Sequence, residues 1–134
     1  MAWTIQLFPD IGIAEVQYSG VVTYRERSEA KTALDARLEG TGIRFVIVNY
    51  TGARATEEDV AELRSFLDDI AETRFLRGVA VAYIDAPMEH ETASRAMARL
   101  VGYTFEAFRD RPAAMAWLRE KMEEAKQEGG EARE

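Results

Sequence analysis

Seven side chains that could recognise a ligand follow two apolar runs in the middle of the chain. The runs span residues 45–48 and 79–84, and each ends in polar or aromatic residues. A guanidinium pairs with carboxylates and phosphates, and a tyrosine ring combines an apolar face with a polar tip. These residue types predict binding of a molecule with an apolar body and an anionic or hydrogen-bonding head near Arg54. The seven are Asn49, Tyr50, Thr51, Arg54, Thr56, Asp85 and His90.

Catalytic and metal chemistry find little support in the sequence. His90 is the only histidine, and it stands between Glu89 and Glu91. Side chains at consecutive helix positions point to different faces, so His90 is predicted to be a solvated helix residue rather than a metal ligand. The chain has no cysteine, no G-x-S-x-G elbow and neither glycine-rich phosphate motif. We predict no catalytic residue, no metal and no cofactor, and keep an enzyme of unknown type as an alternative.

Composition limits the partners. The chain has 134 residues, which suits one domain, and a formal net charge of −7. It has no basic stripe, which argues against nucleic acid and against anionic bilayers. No apolar run approaches the ~20 residues of a membrane span, and the first ten residues do not resemble a signal peptide. We therefore expect a cytoplasmic protein whose partner is a small molecule or another protein, and a homodimer stays open.

The order of elements predicts the fold class. Alternating or apolar runs predict five strands, and helical spacing of apolar residues predicts four helices. The first two strands suit a hairpin, and the later runs suit parallel strands covered on both faces. We predict an α/β domain with a mixed, mostly parallel five-stranded sheet, in the order β-β-α-β-α-β-α-β-α. The domain spans residues 1–122, and residues 123–134 are predicted to be a frayed helix end and a disordered acidic tail.

This order also predicts where a ligand would bind. The carboxyl ends of parallel strands leave a crevice, and the helices that follow point their N-termini towards it. The seven side chains are therefore expected to share one exposed rim, although ordinary turns and helix caps would use the same residue types.

Caps and apolar stripes locate the helices. Residues 20–23 are expected to lead into the first helix, and Thr23 with Glu26 predicts a capping box. Thr56 begins the second helix in the same way. Helical spacing predicts the inward faces of the last two helices. These faces are Ala93, Ala96, Met97 and Leu100, followed by Ala114, Trp117, Leu118 and Met122.

Several segments, taken in this order, resemble the SpoIIAA-like family, the STAS fold group that includes anti-sigma-factor antagonists. The final segment runs from Phe105 to Leu118 and is similar to the F-x-x-x-x-x-A-x-x-W-L ending of the stand-alone bacterial branch. The resemblance extends over nearly all of residues 5–119. The other segments are Gly20-Val21-Val22-Thr23, Phe45 to Asn49, and Val79-Ala80-Val81-Ala82 with Asp85.

The resemblance implies a regulatory or binding role. Anti-sigma antagonists of this fold carry a phosphorylatable Ser or Thr at the start of the second helix, where this chain has Thr56. The Asp and Gly that flank that hydroxyl in the family are absent, and the adjacent acidic residues would repel a phosphate. Some related domains bind apolar molecules between helix and sheet. We therefore predict a non-catalytic STAS-like domain that binds a small apolar or anionic ligand or a protein partner, with regulation at Thr56 as the alternative.

Overall fold

The structure is a computed structural model that describes residues 3–55 and 78–132, together with positions 64 and 68. This described part of the chain contains ten helices and strands. The helix predicted to begin at Thr56 lies outside these residues, apart from those two positions. The strands are β1 (Trp3–Phe8), β2 (Ile13–Tyr18), β3 (Gly20–Val22), β4 (Phe45–Asn49), β5 (Ala53–Ala55), β6 (Ala80–Ile84) and β7 (Thr104–Phe108). The helices are α1 (Tyr24–Leu38), α2 (Met88–Val101) and α3 (Arg111–Ala132).

The main sheet is mixed and has the order β1-β2-β4-β6-β7. β1 and β2 form an antiparallel hairpin, and the remaining neighbours pair in parallel. The described part therefore contains an α/β fold with three helices, where four were predicted for the whole chain.

A second, two-stranded sheet of β3 and β5 corrects the predicted element order. Residues 20–22 were expected only to lead into the first helix, and the five predicted strands did not include residues 53–55. Each strand has three residues, which is too short for an alternating pattern to reveal it.

Two apolar cores lie on opposite faces of the main sheet. One face packs against α1 and α2, through residues such as Leu34 and Met97. The other packs against α3, where Ala114 and Leu118 are fully buried against Ile47 and Ala82. Any site between helix and sheet therefore belongs to one of these two layers.

Helix α2 presents a different face to the core from the one predicted. Met97 is buried as expected, but Ala96 is exposed and Leu100 is 79% exposed. His90 and Ser94 lie inward instead. Their hydrogen-bond partners inside the protein permit this burial, and a pattern based on hydrophobicity does not register such partners.

Helix α3 follows its predicted stripe and continues beyond the sheet. Trp117 is only partly buried, at the edge of the core, with its ring centroid 5.8 Å from that of Phe108. The helix runs on to Ala132, through the stretch that the sequence assigns to a frayed end and tail. No helix among residues 3–55 and 78–132 is long and apolar enough to cross a membrane.

The capping box of α1 is confirmed and gives a first prediction. Thr23 Oγ1 accepts from the Glu26 backbone N–H at 3.1 Å, and the Glu26 carboxylate accepts from the Thr23 N–H at 3.4 Å. We expect Thr23→Ala to lower the free energy of unfolding by about 1 kcal/mol, because the N–H of Glu26 loses its acceptor. Urea denaturation measures this change. Thr23→Ser keeps the acceptor and should change the free energy of unfolding very little. An equal loss of stability in both variants would contradict the capping account.

Candidate functional site

The structure separates the six predicted ligand-binding residues that it describes rather than placing them on one rim. Tyr50 and His90 are both fully buried, and the Tyr50 hydroxyl lies 3.0 Å from His90 Nδ1. Tyr50 was expected to expose its ring at the sheet edge. Instead it packs between Tyr18 and Tyr83, with ring centroids 4.8 Å and 5.6 Å away. Tyr50 and His90 therefore form part of the core beneath α1 and α2.

Asn49 and Thr51 belong to a different network, which leads towards α3. The Asn49 side-chain carbonyl accepts from the backbone N–H and the hydroxyl of Thr51, at 2.9 Å and 2.6 Å. The Asn49 amide donates to Glu15 at 3.3 Å, and Glu15 pairs with Arg111 at 2.7 Å. This network ties the middle of β2 and the carboxyl end of β4 to the first residue of α3, which is a structural role.

Two further predicted residues, Arg54 and Asp85, join neither group. Arg54 is exposed on the short strand β5. Asp85 is exposed too, at a left-handed φ of 53°, and its backbone N–H donates to the carbonyl of Phe108 at 2.8 Å. Thr56 lies outside the described residues, so its predicted roles as helix cap and as alternative phosphorylation site stay predictions.

The prediction that His90 is a solvated helix residue is wrong. Its ring is fully buried, 5.0 Å from the ring centroid of Tyr24. Burial, and secondarily the positive charge of Arg27, lowers the pKa of His90 to about 3. The imidazole therefore stays neutral at physiological pH, because protonation would place a second cation in an apolar layer.

This depressed pKa predicts a loss of stability in mild acid. The unfolded chain gains a proton on His90 near pH 6.5, whereas the folded chain resists protonation until about pH 3. Stability from this group is complete above pH 6.5 and declines as pH falls below it. Between pH 7 and pH 5 we expect a loss of ~2 kcal/mol, measured by urea denaturation at each pH.

The matched control is His90→Asn, which cannot titrate. Whatever the stability of this variant, it removes the part of the pH dependence of the unfolding free energy that His90 contributes. The pH dependence that the carboxylates contribute stays in place. If the unfolding free energy of the wild-type protein changed with pH no more than that of His90→Asn, the imidazole would be solvated, and the account would be contradicted.

A buried arginine that was not predicted from the sequence lies in the layer beneath α1 and α2. Arg27 is 3% exposed, and its Nη2 atom donates to the Tyr83 hydroxyl at 2.7 Å and to Ser94 Oγ at 2.8 Å. The hydroxyls of Tyr83 and Ser94 also form a hydrogen bond with each other, at 2.5 Å between the oxygens. The signal was present in the sequence, because Arg27 stands at helical spacing with the buried residues Ala30 and Leu34.

Tyrosine hydroxyls surround this arginine and stay protonated. Burial raises the pKa of Tyr18, Tyr50 and Tyr103 above the ordinary tyrosine value. Burial alone would lower the pKa of Arg27, but its interactions with Tyr50 and other tyrosines outweigh that effect and raise it. The layer therefore combines a permanent positive charge with neutral donor and acceptor groups.

A cavity of about 70 Å³ that opens to solvent adjoins these groups. We call it the arginine cavity. Its walls come from β2, α1, β4, β6 and α2, and most of them are apolar. The lining residues are Val16, Tyr18, Arg27, Ala30, Lys31, Leu34, Val46, Val48, Val81, Tyr83, Ser94, Met97 and Tyr103. Among the residues described, no three of His, Cys, Asp and Glu come together in a way that could hold a metal ion.

Comparison with known proteins identifies the fold and nothing finer. No family model matches the sequence, and no curated protein matches it. Among solved structures, the chain is similar to an uncharacterised protein of the DUF3478 family from Shewanella loihica PV-4, described as having a SpoIIAA-like fold. The TM-score is 0.51 at 20% identity, over 87% of this chain and 92% of that one. The chain therefore has a SpoIIAA-like α/β fold, as the resemblance of its segments implied.

Proposed function

We propose that this chain is a non-catalytic domain that binds a small amphipathic ligand in the arginine cavity, with the ligand's anionic or hydrogen-bonding head at Arg27. The single observation that supports this most is the buried guanidinium of Arg27 at the wall of an apolar cavity. The ligand class predicted from the sequence is kept, but its place moves from Arg54 to Arg27.

The shape of the arginine cavity limits the ligand. Ligand sites are typically apolar recesses with a few convergent polar groups, and this cavity has that composition. A volume of about 70 Å³ exceeds the space for one water and is smaller than engineered cavities that hold benzene. It suits the end of a short molecule that extends outward through the open mouth.

The polar groups of the cavity favour a carboxylate or a similar anion as the head. Arg27 keeps its charge, and a guanidinium binds a carboxylate with two parallel hydrogen bonds when the geometry allows. Lys31 adds a second basic side chain to the lining. Lys31 is paired with Asp35 at 3.4 Å, so Arg27 is the group that would repel a cationic head, and the proposal predicts discrimination by charge.

Catalysis is not part of this proposal. The tyrosine hydroxyls are held protonated by burial, and the one histidine stays neutral with its ring in the core. A general base must reach its substrate with a pKa near the working pH, and these groups lack that property.

Three probes of equal chain length test the proposal: hexanoate, hexanol and hexylammonium. A ligand that binds only the folded state raises the melting temperature in proportion to the logarithm of its concentration over Kd. We expect hexanoate to raise it most, hexanol less, and hexylammonium not at all. Equal shifts of the melting temperature for all three probes, or no shift for any of them, would contradict the proposal. The alternatives, a protein partner or regulation at Thr56, would then be favoured.

A further inference from the structure

An open groove lies at the end of the sheet opposite the carboxyl ends of its parallel strands. It runs between the β1–β2 turn, residues 42–45 and the side of α3 from Met115 to Lys126. We call it the basal groove. Its volume is about 880 Å³, far larger than the arginine cavity, and the proposed function does not use it.

The floor of the basal groove is apolar and partly uncovered. Ile11 is 52% exposed there, and Phe45, Met115 and Met122 are each only partly buried. Methionine side chains are flexible and polarisable, so they adapt to the apolar face of a partner helix. An exposed apolar strip beside polar walls is typical of an interaction surface.

The walls of the groove are basic in a chain whose formal net charge is −7. Arg119 and Lys126 lie on α3, two helical turns or ~10 Å apart, and Arg44 lies on the facing wall. Asp10 is a lining carboxylate. Lys126 has a weak exposed pair with Glu123 at 3.8 Å. Positive charge is therefore spread along the groove rather than concentrated at one point.

We infer that the basal groove is a docking site for an acidic amphipathic helix of a partner protein. A helix that lies in a groove contributes apolar side chains at spacings of three and four residues, and these would pack on the strip of Ile11, Phe45, Met115 and Met122. Acidic residues flanking that stripe would face Arg44, Arg119 and Lys126. A small anion would satisfy only one of these separated charges, which favours a segment with several.

A synthetic peptide of about 18 residues tests this inference, with leucines at helical spacing and glutamates on both flanks. Its matched controls carry lysines in place of the glutamates, or the same residues in scrambled order. We expect the acidic helix to bind at least about tenfold more tightly than either control at low salt, and to weaken as salt rises. In protein with ¹³C-labelled methionine methyls, Met115 and Met122 should shift and Met97 should not.

Charge reversal makes the test specific. The double variant Arg119→Glu with Lys126→Glu should lose the acidic peptide and gain affinity for the lysine peptide. Both side chains are exposed, so folding should be unaffected. The control Arg25→Glu with Arg109→Glu changes the net charge equally at exposed positions outside the groove and should keep the wild-type preference.

Two results would overturn the inference. One is binding of the acidic peptide no tighter than that of its scrambled form. The other is a dimer in sedimentation equilibrium that dissociates in the Arg119→Glu, Lys126→Glu variant, because the groove would then be an interface between copies of this chain. Arg27→Leu separates this inference from the proposed function, since it should abolish the hexanoate preference and leave peptide binding intact.

Discussion

Replacing Tyr50 by alanine should lower the free energy of unfolding by about 3–5 kcal/mol, the range for a buried aromatic side chain. Tyr50 is fully buried, its ring packs on those of Tyr18 and Tyr83, and its hydroxyl lies 3.0 Å from His90 Nδ1. The variant would leave both a void and an imidazole nitrogen without this partner. Urea denaturation at pH 7 measures the change.

Two further variants divide this effect into its parts. Tyr50→Phe keeps the ring and removes only the hydroxyl, so it should cost about 1 kcal/mol. Arg54→Ala, four residues along on exposed β5, should stay within about 0.5 kcal/mol. The sequence placed both residues on one exposed rim, where a substitution usually changes stability little. A loss below about 1 kcal/mol for Tyr50→Ala would restore that expectation and contradict the buried layer.

Replacing Arg27 by leucine should weaken hexanoate binding by about 10- to 100-fold and leave hexanol within about threefold. The charged hydrogen bond to the carboxylate is lost, and bonds of that kind contribute ~1.5–3 kcal/mol. An apolar side chain replaces the guanidinium, so the contact with the six-carbon body survives. Isothermal titration of both probes into both proteins gives the four affinities.

Matched variants protect this prediction from an indirect explanation. Arg25→Leu removes an exposed arginine two residues away, whose only described ion pair is with Glu29 at 3.8 Å, and it should change neither affinity. Arg27→Lys retains a charge, and we expect it to restore part of the preference for hexanoate. If Arg27→Leu weakened the binding of hexanoate and of hexanol equally, the variant would have distorted the cavity. That result would contradict the assignment of the anionic head to Arg27.

Local signals predicted the parts of the fold that depend on local physics. Thr23 and Glu26 form their capping box because both partners lie within one helical turn. The apolar run at residues 45–48 lies in β4, a central strand with neighbours on both sides, as continuous β-branched runs predict. These features need no knowledge of distant residues.

The candidate site could not be predicted in the same way, because its polar groups are buried by partners far along the chain. Arg27 bonds to Tyr83 and Ser94, which are 56 and 67 residues away. His90 is buried against Tyr50, 40 residues earlier. Helical spacing placed Arg27 on the buried face, but hydrophobicity assigns arginine and histidine to the surface, since it does not register hydrogen bonds that only the tertiary fold creates.

The most direct test of ligand binding in the arginine cavity is a titration of methionine-methyl ¹³C-labelled protein with hexanoate, followed by NMR. Met97 lines the arginine cavity, Met115 and Met122 line the basal groove, and Met88 is 77% exposed. The account predicts a saturable shift of the Met97 methyl, while the methyls of Met88, Met115 and Met122 stay in place. A Met97 signal that does not move at saturating hexanoate, or a shift confined to the other methyls, would contradict it.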